Sequence, residues 1–323
     1  MTPQYLTIID GAVAVDVSTR GRLEFTGPDA ASFLHALVTN DVEGLAPGRG
    51  CYAAWLTPQG RMITDLRLFR TEEGVSAEVP AGMGAELAAR FDQLIFAEDV
   101  RVSDVTDSTG ATLVFGGQAA ETVARTVGGD AARVAALPML GHMTVGDVCI
   151  ARVDDTDLPT FMAWQKKPSG GFSTSRHEEK PPDGFFAELL EALRIKAGRP
   201  KFGVDMTTET IPLEAGLLDR AISQTKGCYV GQEVIIRILH RGGGRVAKRL
   251  VTMVCDEGVS TAPSPGTTLQ VDDRDAGTVT SAATDPDTGR AIALGYVHRD
   301  NAVVGGRVRL ASGGAAEITA LAG

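Results

Sequence analysis

Between Lys226 and Glu233 the chain reads KGCYVGQE, with a cysteine two residues after a lysine and a glycine on either side within three positions. A cysteine does chemistry as its thiolate, and a nearby cation or helix N-terminus favours that form over the free thiol, whose pKa is about 8.5. Lys226 and Arg237 are the cations within reach along the chain. Gly227 and Gly231 let the backbone turn tightly or approach a ligand closely. Gln232 and Glu233 add hydrogen-bonding groups, and QEVIIRIL opens from the turn as a strand or a helix. The segment could therefore present an accessible thiol beside a polar pocket. The alternative is that Cys228 is buried as a small hydrophobe, the usual place of a free cysteine. Just beyond, RILHRGGGRVAKR (237–249) holds five Lys or Arg and no acid. Such a run suits an anionic group or a solvated hinge.

Other reactive residues point to less. Cys51, Cys149 and Cys255 lie in apolar alternating runs and read as core. No CxxC pair occurs, and His35, His142, His177, His240 and His298 show neither i, i+4 nor HxH spacing, so no stably bound metal is expected. Gly242-Gly243-Gly244 lacks Walker spacing, and no G-x-S-x-G elbow is present. Gly82-x-Gly84 precedes a helix, but Leu87 stands where a dinucleotide fingerprint needs its third glycine.

These residues must be positioned by strands and a few helices. In PDAASFLHALVTNDV, residues Phe33, Leu34, Leu37 and Val38 share one helical face, and Asp29 or Pro28 would start the helix. CYAAWLTPQGRMITDLRLFRTEEGVSAEVP alternates as a β-meander with turns at Pro58–Gly60 and Glu72–Gly74. Helices are expected in AELAARFDQLIF and GGQAAETVARTV. Lys166 to Gly184, KKPSGGFSTSRHEEKPPDG, holds no aliphatic residue and reads as an exposed loop. FFAELLEALRIKAGRP carries an apolar stripe of Phe186, Leu189, Leu190 and Leu193, with Gly198 at the left-handed stop and Pro200 beyond it. After Arg249, short strands separated by Gly, Pro and Asp clusters predict a small β-barrel or sandwich. The expected division is an α+β region over 1–241 and a barrel domain over 245–323.

A chain of 323 residues exceeds one ordinary core. Its net charge of −10 argues against general nucleic-acid binding, which needs a basic face. No apolar run is long enough to span a bilayer. MTPQYLTIIDGAVAVDVS lacks the features of a targeting signal, so a cytoplasmic protein is expected.

KGCYVGQE resembles the signature of YgfZ-type proteins, a family linked to iron–sulfur cluster assembly and similar to the glycine cleavage T protein, a tetrahydrofolate-dependent aminomethyltransferase. Further similar segments follow in family order: ALVTNDV (36–42), LTPQGRMITDLRLFR (56–70), ALRIKAGRPKFGVDM (192–206), ETIPLEAGL (209–217) and RGGGRVAKRL (241–250). The resemblance implies two intertwined α+β subdomains with antiparallel sheets and a C-terminal β-barrel, arranged around a central folate-binding hole. It makes Cys228 the signature thiol, and Lys226, Tyr229, Gln232, Glu233 and Arg237 its neighbours around the pocket.

Asp65 falls where true aminomethyltransferases carry an acidic pair beside the folate nitrogen. A carboxylate there can stabilise developing positive charge or manage a proton. Here the pair is reduced to Thr64-Asp65. The segment ARVDDTDLPTFMAW leaves Arg152 and Asp155 as remnants of another family region, and Arg20 and Leu190 occupy positions where relatives can present aromatic rings. The resemblance thus implies a tetrahydrofolate-binding accessory protein for transient work on iron–sulfur enzymes, including tRNA-modifying radical-SAM enzymes. With no cluster-ligating cysteine set, the chain offers at most one thiolate to a cluster. The alternative is a tetrahydrofolate-dependent aminomethyl- or methyltransferase using Asp65, and a third is a structured-RNA binder using the basic run.

Overall fold

A computed structural model describes residues 3–167 and 185–323. Most of the loop expected at 166–184 lies outside the described residues; Lys166 itself ends a strand.

Two antiparallel five-stranded sheets share the first half of the chain, and the chain passes between them. The first sheet has the order Val13–Asp16, Thr109–Phe115, Thr160–Lys166, Val148–Val153, His142–Val145. The second has Gly50–Leu56, Met62–Arg70, Gly74–Val79, Gly21–Thr26, Arg101–Asp104. The expected meander supplies the first three strands of this second sheet. Its outer face is covered by helices Ala30–Leu37 and Gly84–Asp92, over an aromatic cluster of Phe25, Phe33, Trp55 and Phe91. Trp55 stacks on Phe91 with ring centroids 4.2 Å apart, an arrangement that adds to simple area burial. The inner faces of the two sheets meet in a core that includes Phe69, Leu113, Met162 and Trp164.

Asp29 stands at the cap position of helix Ala30–Leu37, yet its side chain caps nothing there. Its carboxylate instead accepts the Asp99 backbone N–H at 2.7 Å. A helix at Pro3–Asp10 was not legible in the sequence, and its Ile8 is buried in the shared core. Helix Phe185–Lys196 ends where Gly198 takes φ 67°, as the glycine and following proline require. QEVIIRIL resolves as helix Gln232–Ile236 running into a π-helical turn, Arg237–Arg241.

The six C-terminal strands, Lys248–Cys255 through Ala315–Leu321, close into a barrel, which removes free sheet edges. Its interior is apolar, with Val251, Met253, Val279 and Ile318 among the core residues. Arg194 of the long helix anchors it by donating to Asp205 at 2.7 Å and to Ser281 of the barrel at 2.9 Å. The fold is thus mixed α+β with antiparallel sheets and a closed C-terminal barrel. No helix among the described residues is long and apolar enough to cross a membrane.

Candidate functional site

Strand register assembles the site. On the inner face of the second sheet, Tyr52, Arg67, Glu78 and Arg22 stand directly opposite one another on four adjacent strands. Side chains alternate along a strand, so Asp65, two residues before Arg67, shares that face. The Tyr52 hydroxyl donates to Asp65 Oδ2 at 2.6 Å.

Charged groups from distant segments close onto this row. Arg20, in the turn before Gly21–Thr26, donates to Glu78 at 3.0 Å and to Asp155 at 2.8 Å. Arg67 pairs with Glu78 at 2.8 Å and with Asp155 at 2.9 Å. Arg220, from the short helix Leu218–Ala221, holds Asp154 at 2.6 Å and places its guanidinium 4.9 Å from the Tyr52 ring centroid. Glu78, Asp154 and Asp155 are buried, and a buried carboxylate persists only when paired.

The network separates the carboxyls electrostatically. Burial works against ionisation of Asp155, but Arg20 and Arg67 hold its pKa down to about 2. Burial pushes the Asp65 carboxyl above its ordinary value, opposed only in part by the Tyr52 hydrogen bond and Arg67. Burial thus disfavours the charged form of Asp65, while the two arginines favour the charged form of Asp155.

Where the sheets, helix Phe185–Lys196 and the turn after it meet lies a cavity of about 470 Å³, within the usual range of small-ligand pockets. Asp65, Tyr52, Arg20 and Asp155 line it, with Leu190 and Phe202 among its apolar walls. Arg199 and Lys201 also line it. The buried Nε of Arg199 has no hydrogen-bond partner.

The expected site residues divide between this cavity and the surface. Asp65 lines the cavity, as do Arg20, Leu190 and Asp155. Cys228 is exposed and is not among the lining residues. Lys226, Tyr229, Gln232, Glu233, Arg237 and Arg152 are likewise not among the residues lining this cavity. The reasons are physical. The Lys226 ammonium turns to the backbone carbonyls of His35, Val38 and Asn40. Tyr229 is buried in the shared core. Gln232 donates to the Gly227 carbonyl at 3.5 Å, and Glu233 and Arg237 are exposed on helix and π-turn. Arg152 donates to the Leu137 carbonyl at 3.1 Å. The strand bearing Arg152 ends at Val153, and the chain then delivers Asp154 and Asp155 to the ion-pair network.

Sequence reasoning missed Arg67, Glu78, Tyr52 and Arg220. Arg67 was legible in principle, because it lies two residues beyond Asp65 on one strand. Cys51 and Cys255 are buried, and Cys149 is half-buried at a second cavity of about 410 Å³. Among the described residues no group of three or more His, Cys, Asp or Glu is placed to hold a metal ion.

Comparison with known proteins agrees with this architecture. Residues 4–154 match the GCVT N-terminal domain, and residues 248–321 match the glycine cleavage T-protein C-terminal barrel domain. The aminomethyltransferase of Rubrobacter xylanophilus is 31% identical over 286 residues, covering 87% of this chain and 75% of that protein. An Arabidopsis thaliana protein named "Putative transferase At1g60990, chloroplastic" is 30% identical over 312 residues, covering 93% of this chain and 68% of its own. The crystal structure of the glycine cleavage system aminomethyltransferase T from Bartonella henselae superposes with a TM-score of 0.81 at 21% identity, covering 98% of this chain and 87% of that one. That likeness speaks for the fold. Two domain matches in order and relatives at this identity establish that the chain belongs to the glycine cleavage T-protein family.

Proposed function

We propose that the cavity binds a reduced folate, and that the chain serves iron–sulfur enzymes in the cytoplasm as a transient accessory protein with Cys228 as its working thiol. The observation that carries this reading is the exposure of Cys228 within KGCYVGQE, the segment that resembles the YgfZ-type signature. A thiol at the surface is reachable by a partner's cluster or sulfur, whereas a buried one is inert.

The cavity's chemistry fits a reduced folate. Apolar walls suit a flat heterocycle, and Asp65 offers a carboxyl to its ring nitrogens. The unpartnered Arg199 Nε and the half-exposed Lys201 are donors for the carboxylates of a glutamate tail. When bound, a reduced folate supplies a carrier for a one-carbon unit. Asp65 would hold or release a proton at its Oδ atoms, and Tyr52 would orient it. The test is a titration of purified protein with 5-formyltetrahydrofolate. Saturable binding that weakens in Asp65→Asn supports the reading, and no binding in the micromolar range overturns it.

One observation favours a second reading, a tetrahydrofolate-dependent transferase. Asp65 lies in the cavity with its carboxyl raised and hydrogen-bonded, and relatives bear the name aminomethyltransferase. The two readings separate when protein, tetrahydrofolate and a thioether-bound aminomethyl donor, R–S–CH2–NH2, are mixed, since transfer of its CH2 to the folate releases ammonia and the free thiol without any oxidant. Asp65-dependent 5,10-methylenetetrahydrofolate formation selects the transferase.

A further inference from the structure

We propose that Lys226 is the positioning residue for the Cys228 thiol, acting as a clamp between the signature loop and the end of helix Ala30–Leu37. The proposal rests on the reading of Cys228 as the working thiol.

A helix leaves its last carbonyls without intrahelical donors. Helix Ala30–Leu37 stops abruptly, because Val38 is extended at φ −103°, ψ 163°. The Lys226 ammonium fills this gap. It donates to the His35 carbonyl, to the Val38 carbonyl at 2.7 Å and to the Asn40 carbonyl at 3.2 Å. An ammonium has three N–H donors, and all three are used. A cation at this end also complements the helix dipole. The same ammonium lies 5.1 Å from the Tyr229 ring centroid, within cation–π range.

Lys226 and Tyr229 are therefore the two feet of a short bridge. One foot is pinned by three carbonyls, and the other is sunk in the core at 7% exposure. Between them Gly227 and Cys228 are exposed, and a Cβ added at Gly227 would meet nothing within 4 Å. The thiol thus has no packing of its own to fix it, and its position is set by its neighbours. The ALVTNDV segment tightens the grip. Ser223 N–H donates to the Thr39 carbonyl at 3.1 Å, Thr39 Oγ1 to the Ala221 carbonyl at 2.6 Å, and the Lys226 N–H to Ser223 Oγ at 3.2 Å. Asn40 Nδ2 donates to the Arg220 carbonyl at 3.3 Å and to the Tyr52 carbonyl at 2.8 Å, so the clamped segment also touches the strand that carries Tyr52 into the cavity. This gives ALVTNDV a role that cavity chemistry alone does not.

The test compares Lys226→Met and Cys228→Ser with the full-length wild type in three measurements. These are hydrogen exchange of a peptide spanning 223–231, affinity for 5-formyltetrahydrofolate, and rescue of a cluster-dependent enzyme in a strain lacking the protein. For Lys226→Met the expected result is exchange about tenfold faster in that peptide, as loss of a charge-assisted hydrogen bond gives. Folate affinity should stay within about twofold of wild type, since Lys226 is outside the cavity. Rescue should fall to the Cys228→Ser level. In Lys226→Ala, added n-propylammonium should restore protection and tetramethylammonium, which has no N–H, should not. Unchanged exchange overturns the clamp, and so does a parallel loss of folate affinity and rescue, which marks a merely structural lysine. Should Lys226→Met fail to fold, Lys226→Gln keeps two donors, drops the charge and gives the same pattern at smaller amplitude. If Cys228→Ser rescues fully, the thiol reading has failed while hydrogen exchange still decides the clamp. If Cys228→Ser fails and Lys226→Met rescues fully, the clamp alone is overturned.

Discussion

Tyr52 and Asp65 lie on adjacent antiparallel strands, diagonally across the ladder, and are joined by a 2.6 Å hydrogen bond from the phenol to the carboxylate at the wall of the cavity. The phenol is itself buried and its own ionisation is pushed well above the ordinary value, first by burial and then by Asp65. It therefore stays neutral and donates its proton to the hydrogen bond with Asp65. The pair gives the site one carboxyl whose proton affinity is raised by burial and drawn back by the Tyr52 hydrogen bond and by Arg67.

Tyr52→Phe removes that donor and leaves Arg67 to oppose burial at the Asp65 carboxyl, so its pKa rises further. The expected loss in affinity for 5-formyltetrahydrofolate is roughly tenfold, the worth of about one hydrogen bond to a charged group. Calorimetric titration across pH should show the variant's affinity changing at a higher pH than that of wild type.

The ion-pair network predicts an acid limb of stability. Asp155 has a folded pKa of about 2, below its ordinary value of 3.8. A group depressed in this way contributes stability above its unfolded pKa and loses it as pH falls through the folded one. Stability should therefore drop between about pH 4 and pH 2, by about 2 kcal/mol for this group. Urea unfolding of Asp155→Asn should start lower and show a shallower slope over that window.

Arg67 is shared by Glu78 and Asp155. Arg67→Met leaves two buried carboxylates short of a partner. The expected cost is about 3–5 kcal/mol of folding free energy, read from the midpoint of denaturant unfolding. A double variant that also replaces Glu78 with Gln should recover part of it.

Much of the fold could be read from the sequence because the signals were local. Period-two alternation and turn residues placed the meander and the barrel strands. The apolar stripe with Gly198 and Pro200 placed the long helix. The cavity was harder to read because its charges come from remote segments. Arg20 meets Glu78 across 58 residues and Asp155 across 135, and no local pattern marks such pairs. The directions taken by the Lys226 and Tyr229 side chains were not legible from their nearness to Cys228 along the chain. Their side chains leave the loop, one toward helix-end carbonyls and one into the core. Asp65 was found through its resemblance to a known carboxylate position, and its strand then accounted for Arg67.

Gly231, within the signature segment and immediately before helix Gln232–Ile236, sits at φ 84°, and an added Cβ would lie 2.5 Å from the Thr57 carbonyl oxygen. Gly231→Ala combines left-handed backbone strain with a clash against main chain. The cost should be about 1–3 kcal/mol, seen as a lower Tm. The loop bearing Cys228 would have to shift, so thiol-dependent rescue should fall while folate binding persists.

The most direct measurement of the central claim is the activity of a cluster-dependent enzyme in a strain lacking this protein, after complementation with wild type or Cys228→Ser. Because Cys228 is exposed and fills no core position, the variant should fold, bind 5-formyltetrahydrofolate as wild type does and fail to restore the enzyme. Full restoration by Cys228→Ser, at equal protein level, would contradict a working thiol at this position.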